Sequence, residues 1–163
     1  MCDTGRGMTG KQPTSRYCFV CGRDNPMSLH VTWRNDSETR QVRAVVAVPE
    51  EYNGYPGIVH GGIVSALLDE TAGRALMVDG DYERLWVTVR LAVTFRKPTP
   101  TATPLTLVGW VVRDTGRRSD AVAEVRLPDG TVTASAEVLL AKPPEGMLTG
   151  WLEEREHWRV EED

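Results

Sequence analysis

The run Gly57-Ile58-Val59-His60-Gly61-Gly62-Ile63-Val64-Ser65-Ala66-Leu67-Leu68-Asp69-Glu70 limits the fold more than any other part of the chain. A glycine turn follows Pro56, a His-Gly-Gly step follows the turn, and a helix follows the step. Along that helix Ile63, Val64, Ala66, Leu67 and Leu68 point in nearly every direction, so the spacing predicts a helix buried in a core. Asp69 sits in its middle. A carboxylate there is costly without a partner, so the position asks for a chemical explanation.

The two adjacent carboxylates differ in their helical neighbours. Glu70 has Arg74 four residues later, the favourable order for an ion pair on a helix face. Asp69 has only Ser65, Ala66, Ala72 and Gly73 at three and four residues either way, all small and none basic. Small neighbours leave a hollow beside the carboxylate, which makes Asp69 the candidate functional acid.

At the other end of the run, Gly61 and Gly62 open the helix. First-turn amides lack intrahelical acceptors and sit at the positive end of the dipole. Such a terminus can hold an anion, or a carbonyl oxygen becoming one. Asp69 lies eight residues beyond Gly61, roughly 12 Å at ~1.5 Å per residue. Groups that far apart cannot both touch one reacting carbonyl. If both act on it, they come from different subunits.

The remainder of the chain reads as one domain over about residues 17–142. Residues 1–16 are polar and aperiodic, which predicts disorder. Tyr17 to Pro26 reads as a compact loop ending in an Asn25-Pro26 turn, and Leu29 to Trp33 alternates as a first strand with His30 on its outer face. Arg34 to Thr39 is expected to be a polar turn, Val42 to Val48 a second strand, and the central helix to end near Asp79-Gly80. Four more strands follow: Leu85 to Phe95, Leu105 to Arg113, Ala121 to Leu127, and Thr131 to Ala141 after the Pro128-Asp129-Gly130 turn. Short turns imply antiparallel neighbours. The prediction is therefore an α+β domain, a curved antiparallel sheet of about six strands wrapped around one long central helix. Residues 143–163 carry Trp151, Leu152 and Trp158 among charges and suggest a tail with a short helix from about Thr149 that either packs against a neighbouring subunit or frays.

Charge and cysteines narrow the function. A net charge of −4 argues against a general nucleic-acid binder. No apolar run approaches the ~20 residues that span a bilayer. The polar N-terminus has no apolar signal segment, which makes the cytoplasm the expected location. Cys18 and Cys21 form a Cys-x-x-Cys pair, but neither Cys2 nor His30 has the spacing of a second pair. The expected reading is a structural turn, with no metal site.

Three segments resemble one family. Cys18-Phe19-Val20-Cys21-Gly22 with Asn25-Pro26 and Leu29-His30, Tyr55-Pro56 into His60-Gly61-Gly62 with Leu68-Asp69-Glu70, and Val87-Thr88-Val89-Arg90-Leu91 running to Arg96-Lys97-Pro98 are similar to hotdog-fold acyl-CoA thioesterases of the phenylacetic-acid-degradation and thioesterase-superfamily-member type. His-Gly-Gly with an Asp nine residues after the His, in that strand order, is the specific part. The resemblance implies a hotdog fold and a homodimer, or a dimer of dimers, holding thioester at the interface. The Gly61 amide, with Gly62 beside it, would polarise the carbonyl. Asp69 of the partner subunit would act as general base or nucleophile, Thr88 would position water, and His60 would orient the turn or bond the thioester region rather than serve as the base. Some relatives carry Asn or Gln before the His, a place Asn53 is a candidate to fill.

Coenzyme A enters only as part of the substrate, and no separate cofactor is expected. Its phosphates would need cations, and Arg90, Arg96, Lys97, Arg117 and Arg118 are the candidates, with Arg113 beside the same turn. Two alternatives belong to other classes. A hotdog hydratase or dehydratase would need a His-Phe-Pro-type segment with a downstream Glu, which is missing. A non-catalytic acyl-CoA-binding protein would need a reader segment, for which no length remains.

Overall fold

The computed structural model describes residues 8–162. Its main sheet has seven strands: β1 (Met8–Lys11), β2 (Arg34–Asp36), β3 (Gln41–Ala47), β6 (Val87–Phe95), β7 (Pro104–Asp114), β8 (Arg118–Arg126) and β9 (Val132–Ala141). They lie in the order β1-β2-β3-β7-β8-β9-β6, each pair antiparallel. A small hairpin, β4 (Asn53–Tyr55) and β5 (Ile58–Val59), leads into helix α1 (Gly61–Ala75). This is the hotdog arrangement the sequence implied, a sheet curled round one helix, with one strand more than expected.

Strand periodicity makes the core. Alternate residues of β8 are buried, Ala121, Ala123 and Val125 among them, and β9 contributes Ala134, Ala136, Val138 and Leu140. Against them α1 lays Val64, Leu67, Leu68, Thr71, Ala72 and Ala75. The helix comes so close to β7 that a Cβ on Gly109 would stand 2.7 Å from the Thr71 carbonyl oxygen, so only glycine fits there. Thr71 turns its hydroxyl to the Leu67 carbonyl and accepts the Trp33 indole N–H at 3.2 Å.

Four expectations need correction. The 1–16 segment was expected to be disordered. Residues 1–7 lie outside the described residues, but Met8–Lys11 pairs with Arg34–Asp36, and Gln12 is wholly buried, donating to Asn35 and to the Arg74 carbonyl. Leu29 to Trp33 is not a strand. Leu29 and Val31 donate instead to the Phe19 and Val20 carbonyls of the preceding loop, and His30 has a φ of 51° that breaks the pleat. Arg34 to Asp36, expected to be part of a turn, is the strand. The helix stops at Ala75 rather than near Asp79-Gly80, and turns carry the chain on to Gly80.

The tail folds back on its own chain. A short helix, α2 (Trp151–Glu154), packs Trp151 edge-on against Trp158 with ring centroids 5.5 Å apart. Trp158 donates its indole N–H to the Tyr82 carbonyl, and Arg159 bridges to Thr14. Arg74, only 2% exposed, is the anchor. Its guanidinium stacks 4.7 Å from the Trp33 ring centre and 4.8 Å from that of Trp158, and donates to Glu70, the Pro13 carbonyl and Cys21.

Candidate active site

The two ends of α1 face two separate cavities. Asp69 lines one of about 330 Å³ together with Gly73, Met77, Trp86, Thr88 and Leu140, and the tail residues Leu148, Trp151 and Trp158 border it too. Gly73, one of the small neighbours of Asp69, forms part of the predicted hollow. Trp86 is on this wall, whereas Trp110 lies elsewhere on β7.

Asp69 is half-buried. It accepts a 2.7 Å hydrogen bond from the Thr88 hydroxyl. Burial pushes its carboxyl above the usual aspartate range; the Thr88 bond opposes the rise and the neighbouring Glu70 charge adds to it. Glu70 is occupied with Arg74 at 2.9 Å. Asp69 therefore has one hydroxyl partner and, among the described residues, no ion-pair partner, although Arg74 and Arg84 border the same largely apolar cavity, an arrangement suited to a base with a free oxygen.

The second cavity is lined by Tyr55, Ile58, His60, Gly61, Phe95, Arg96 and their neighbours. Here the structure separates the two glycines. His60 is the N-cap of α1, and its Nδ1 accepts the Gly62 amide at 2.9 Å. In the neutral ring the proton therefore sits on Nε2. The Gly61 amide has no acceptor among the described residues. Of the two amides, only that of Gly61 remains free for a ligand oxygen.

The other candidates divide. Arg96 and Lys97 line the Gly61 cavity, and Arg96 also donates to Ser135 at 3.2 Å. Arg90 stands exposed on β6, and Arg117 and Arg118 lie by Ala141, at the far end of the sheet from Arg96. Asn53 donates to Glu50, which also accepts from the Gly57 amide and the Thr101 hydroxyl. Its amide thus braces the loop before His60. Sequence reasoning missed Leu148, Trp151 and Trp158 as cavity residues; their apolar character among charges was the only signal.

One relation between strand and helix decides what this geometry can do. α1 runs antiparallel to β6, for a Cβ on Gly61 would meet the Phe95 ring at 3.4 Å while Asp69 is bonded to Thr88 at the other end of the strand. A family model described as the thioesterase superfamily matches residues 56–134, the span from the His-Gly-Gly turn to β9. Over these residues the chain is similar to the thioesterase superfamily, and its fold is the hotdog. A solved thioesterase superfamily protein is similar over 78% of this chain, at 33% identity and a TM-score of 0.71, and this chain spans 61% of that protein's length. Two more solved structures share the hotdog fold at 21% identity. One is a putative thioesterase, a phenylacetic acid degradation-related protein from Ralstonia eutropha JMP134, covering 70% of this chain and 86% of its own with a TM-score of 0.62. The other, from Streptococcus mutans UA159, is bound to acetyl CoA and covers 62% and 79% with a TM-score of 0.56. Both long termini of this hotdog protein lie outside the matched span, so part of the Asp69 cavity is built from segments beyond it. Among the described residues, no helix is long and apolar enough to cross a membrane.

Proposed function

We propose that this protein hydrolyses acyl-CoA thioesters at sites shared between two subunits. The observation that carries the reading is the edge strand β6. It ends the sheet with an unpaired side, and Val89, Leu91 and Phe95 are exposed along it. An exposed, apolar edge is a template for pairing with another strand. Antiparallel pairing of β6 with its own copy, centred between Leu91 and Ala92, would set Thr88 opposite Phe95 of the partner subunit. Because α1 runs antiparallel to β6, the same operation would bring Asp69 of one chain to Gly61 of the other. The roughly 12 Å that separates the two groups within a helix is then bridged by symmetry.

In that shared site the thioester carbonyl accepts the free Gly61 amide at the positive end of α1, where charge develops as the carbonyl is attacked. Asp69, kept as an available base by a single hydroxyl bond, takes a proton from water, or itself attacks the carbonyl carbon. Thr88 holds the carboxylate in position. The acyl group fills the apolar cavity beside Asp69. Arg96 and Lys97 near the Gly61 end would meet the coenzyme A phosphates; Arg117 and Arg118 would meet them only if the nucleotide runs the other way. The substrate's own thiol leaves as free coenzyme A.

A mixed-subunit assay tests this. Parent protein should release free thiol from a panel of acyl-CoA esters. Asp69→Ala and Gly61→Pro should each be inactive alone, and co-assembled should regain about a quarter of parental activity in sites built from the two intact halves. No recovery in verified mixed dimers would end the shared-site reading.

A further inference from the structure

We infer that Cys18, Cys21 and Glu70 are the protein ligands of a zinc ion that fastens the Tyr17–Pro26 loop to α1. The sequence supplies half a site, and no second Cys or His pair completes it. The fold completes it with a carboxylate: the two sulfurs and a Glu70 oxygen lie within 4.8 Å of one another. Tetrahedral zinc with bonds of about 2.3 Å to sulfur needs thiolates about 3.8 Å apart, so small side-chain rotations close the cluster. Two thiolates with one carboxylate suit zinc better than magnesium or calcium.

The loop geometry is that of a ligand turn. Gly22 donates to the Cys18 carbonyl at 2.7 Å, and the Val20 amide points at Cys18 Sγ at 3.3 Å. A Cβ on residue 22 would stand 2.4 Å from the Cys18 oxygen, so the tight turn that sets the two sulfurs side by side requires glycine. Around the cluster lies a set of outer donors. Arg74 Nη2 reaches Cys21 Sγ at 3.0 Å and Nε reaches Glu70 Oε1 at 2.9 Å, leaving Glu70 Oε2 for a metal. The Ser15 hydroxyl lies 3.6 Å from Cys21 Sγ. Ligands held by such partners are the rule at metal sites.

The third ligand decides between this and a redox pair: Glu70 brings an oxygen to the two sulfurs, which a disulfide does not use and a metal does. Two thiolates, one carboxylate, one guanidinium and Zn²⁺ sum to zero, which suits a half-buried site. All three ligands also border the Asp69 cavity, so the fourth coordination position opens there, to water or a ligand thiol.

The inference does not rest on the thioesterase reading, and its test reads metal rather than turnover. Tag-free full-length protein, purified without chelator, should hold about one zinc per chain by elemental mass spectrometry. A C18S/C21S variant should fall below roughly a tenth of that, and Glu70→Gln should bind at least about tenfold more weakly. Should the double variant fail to fold, reduced metal-free parent titrated with Co²⁺ under argon should show thiolate-to-cobalt charge-transfer bands. Of its three cysteines, two should resist alkylation until chelator is added. Parent protein without zinc and without those bands, or zinc retained in C18S/C21S, would overturn the assignment.

Discussion

The Asp69 end of α1 and the Gly61 end are built on opposite plans. The Asp69 end is enclosed by its own chain: Ser15 and Cys18 come from before the family span, and Leu148, Trp151 and Trp158 from after it. The Gly61 end is bounded by the hotdog domain itself and its approach loop, and His60, Gly62 and Phe95 are all exposed there. The difference separates general chemistry from particular fit. A free amide at a helix start recognises any carbonyl oxygen, so it needs only the domain. In the proposed reaction the walls around the acid would meet the acyl group, and the added termini shape those walls.

The largest effect should come from the enclosed end. Asp69→Ala should lower kcat by about 10²–10⁴-fold, the usual worth of a general base, without loss of folded signal by circular dichroism. A residual rate near the parent's would remove the acid from the mechanism. At the open end, Gly61→Pro removes the amide yet should keep the helix. Proline is tolerated at the first helical position, and the His60 ψ of 135° suits the residue before a proline. A loss of about 10²–10³-fold in kcat is expected, as for one oxyanion donor, with helix content unchanged.

Smaller changes sharpen the contrast. Thr88→Val deletes a hydrogen bond to a charged group, worth about 1.5 kcal/mol or roughly tenfold in rate. Because that bond holds the Asp69 pKa down, its loss should also move the acid limb of the pH–rate profile upward. In the parent that limb should already lie above the ordinary aspartate value of about 3.9. The smallest effect is on stability. With the folded pKa raised, the native state binds the proton more tightly than the unfolded chain, so stability falls as pH rises through the window above the ordinary value and stays lower beyond it. Asp69→Asn escapes that loss. Its urea midpoint should exceed the parent's at neutral pH and converge on it in acid.

Much of this was legible in the residues because local periodicity carried it. Period-two alternation gave β6 to β9 nearly to their ends, and the His-Gly-Gly step marked the start of α1. Leu29 to Trp33 misled because its alternate burial is real while its hydrogen-bond partners are loop carbonyls, and pattern alone records burial rather than pairing. Arg74 looked like one half of a surface ion pair; nothing in an i,i+4 spacing reveals that Trp33 and Trp158 will close over it. His60 and Gly62 could be named as a turn, but which of two adjacent amides the imidazole occupies is a matter of ångströms. The tail aromatics lacked any local signal for their target, which lies more than sixty residues away at Tyr82 and Trp86.

Arg74 touches Pro13, Cys21, Trp33, Glu70 and Trp158, five points spread along almost the whole chain. Both termini are thereby tied through a single guanidinium, and they should open together rather than fray one by one. In hydrogen exchange, amides of the two end segments would share one opening free energy. Lysine could not substitute, since a point charge lacks the flat fork that serves two rings and three acceptors at once.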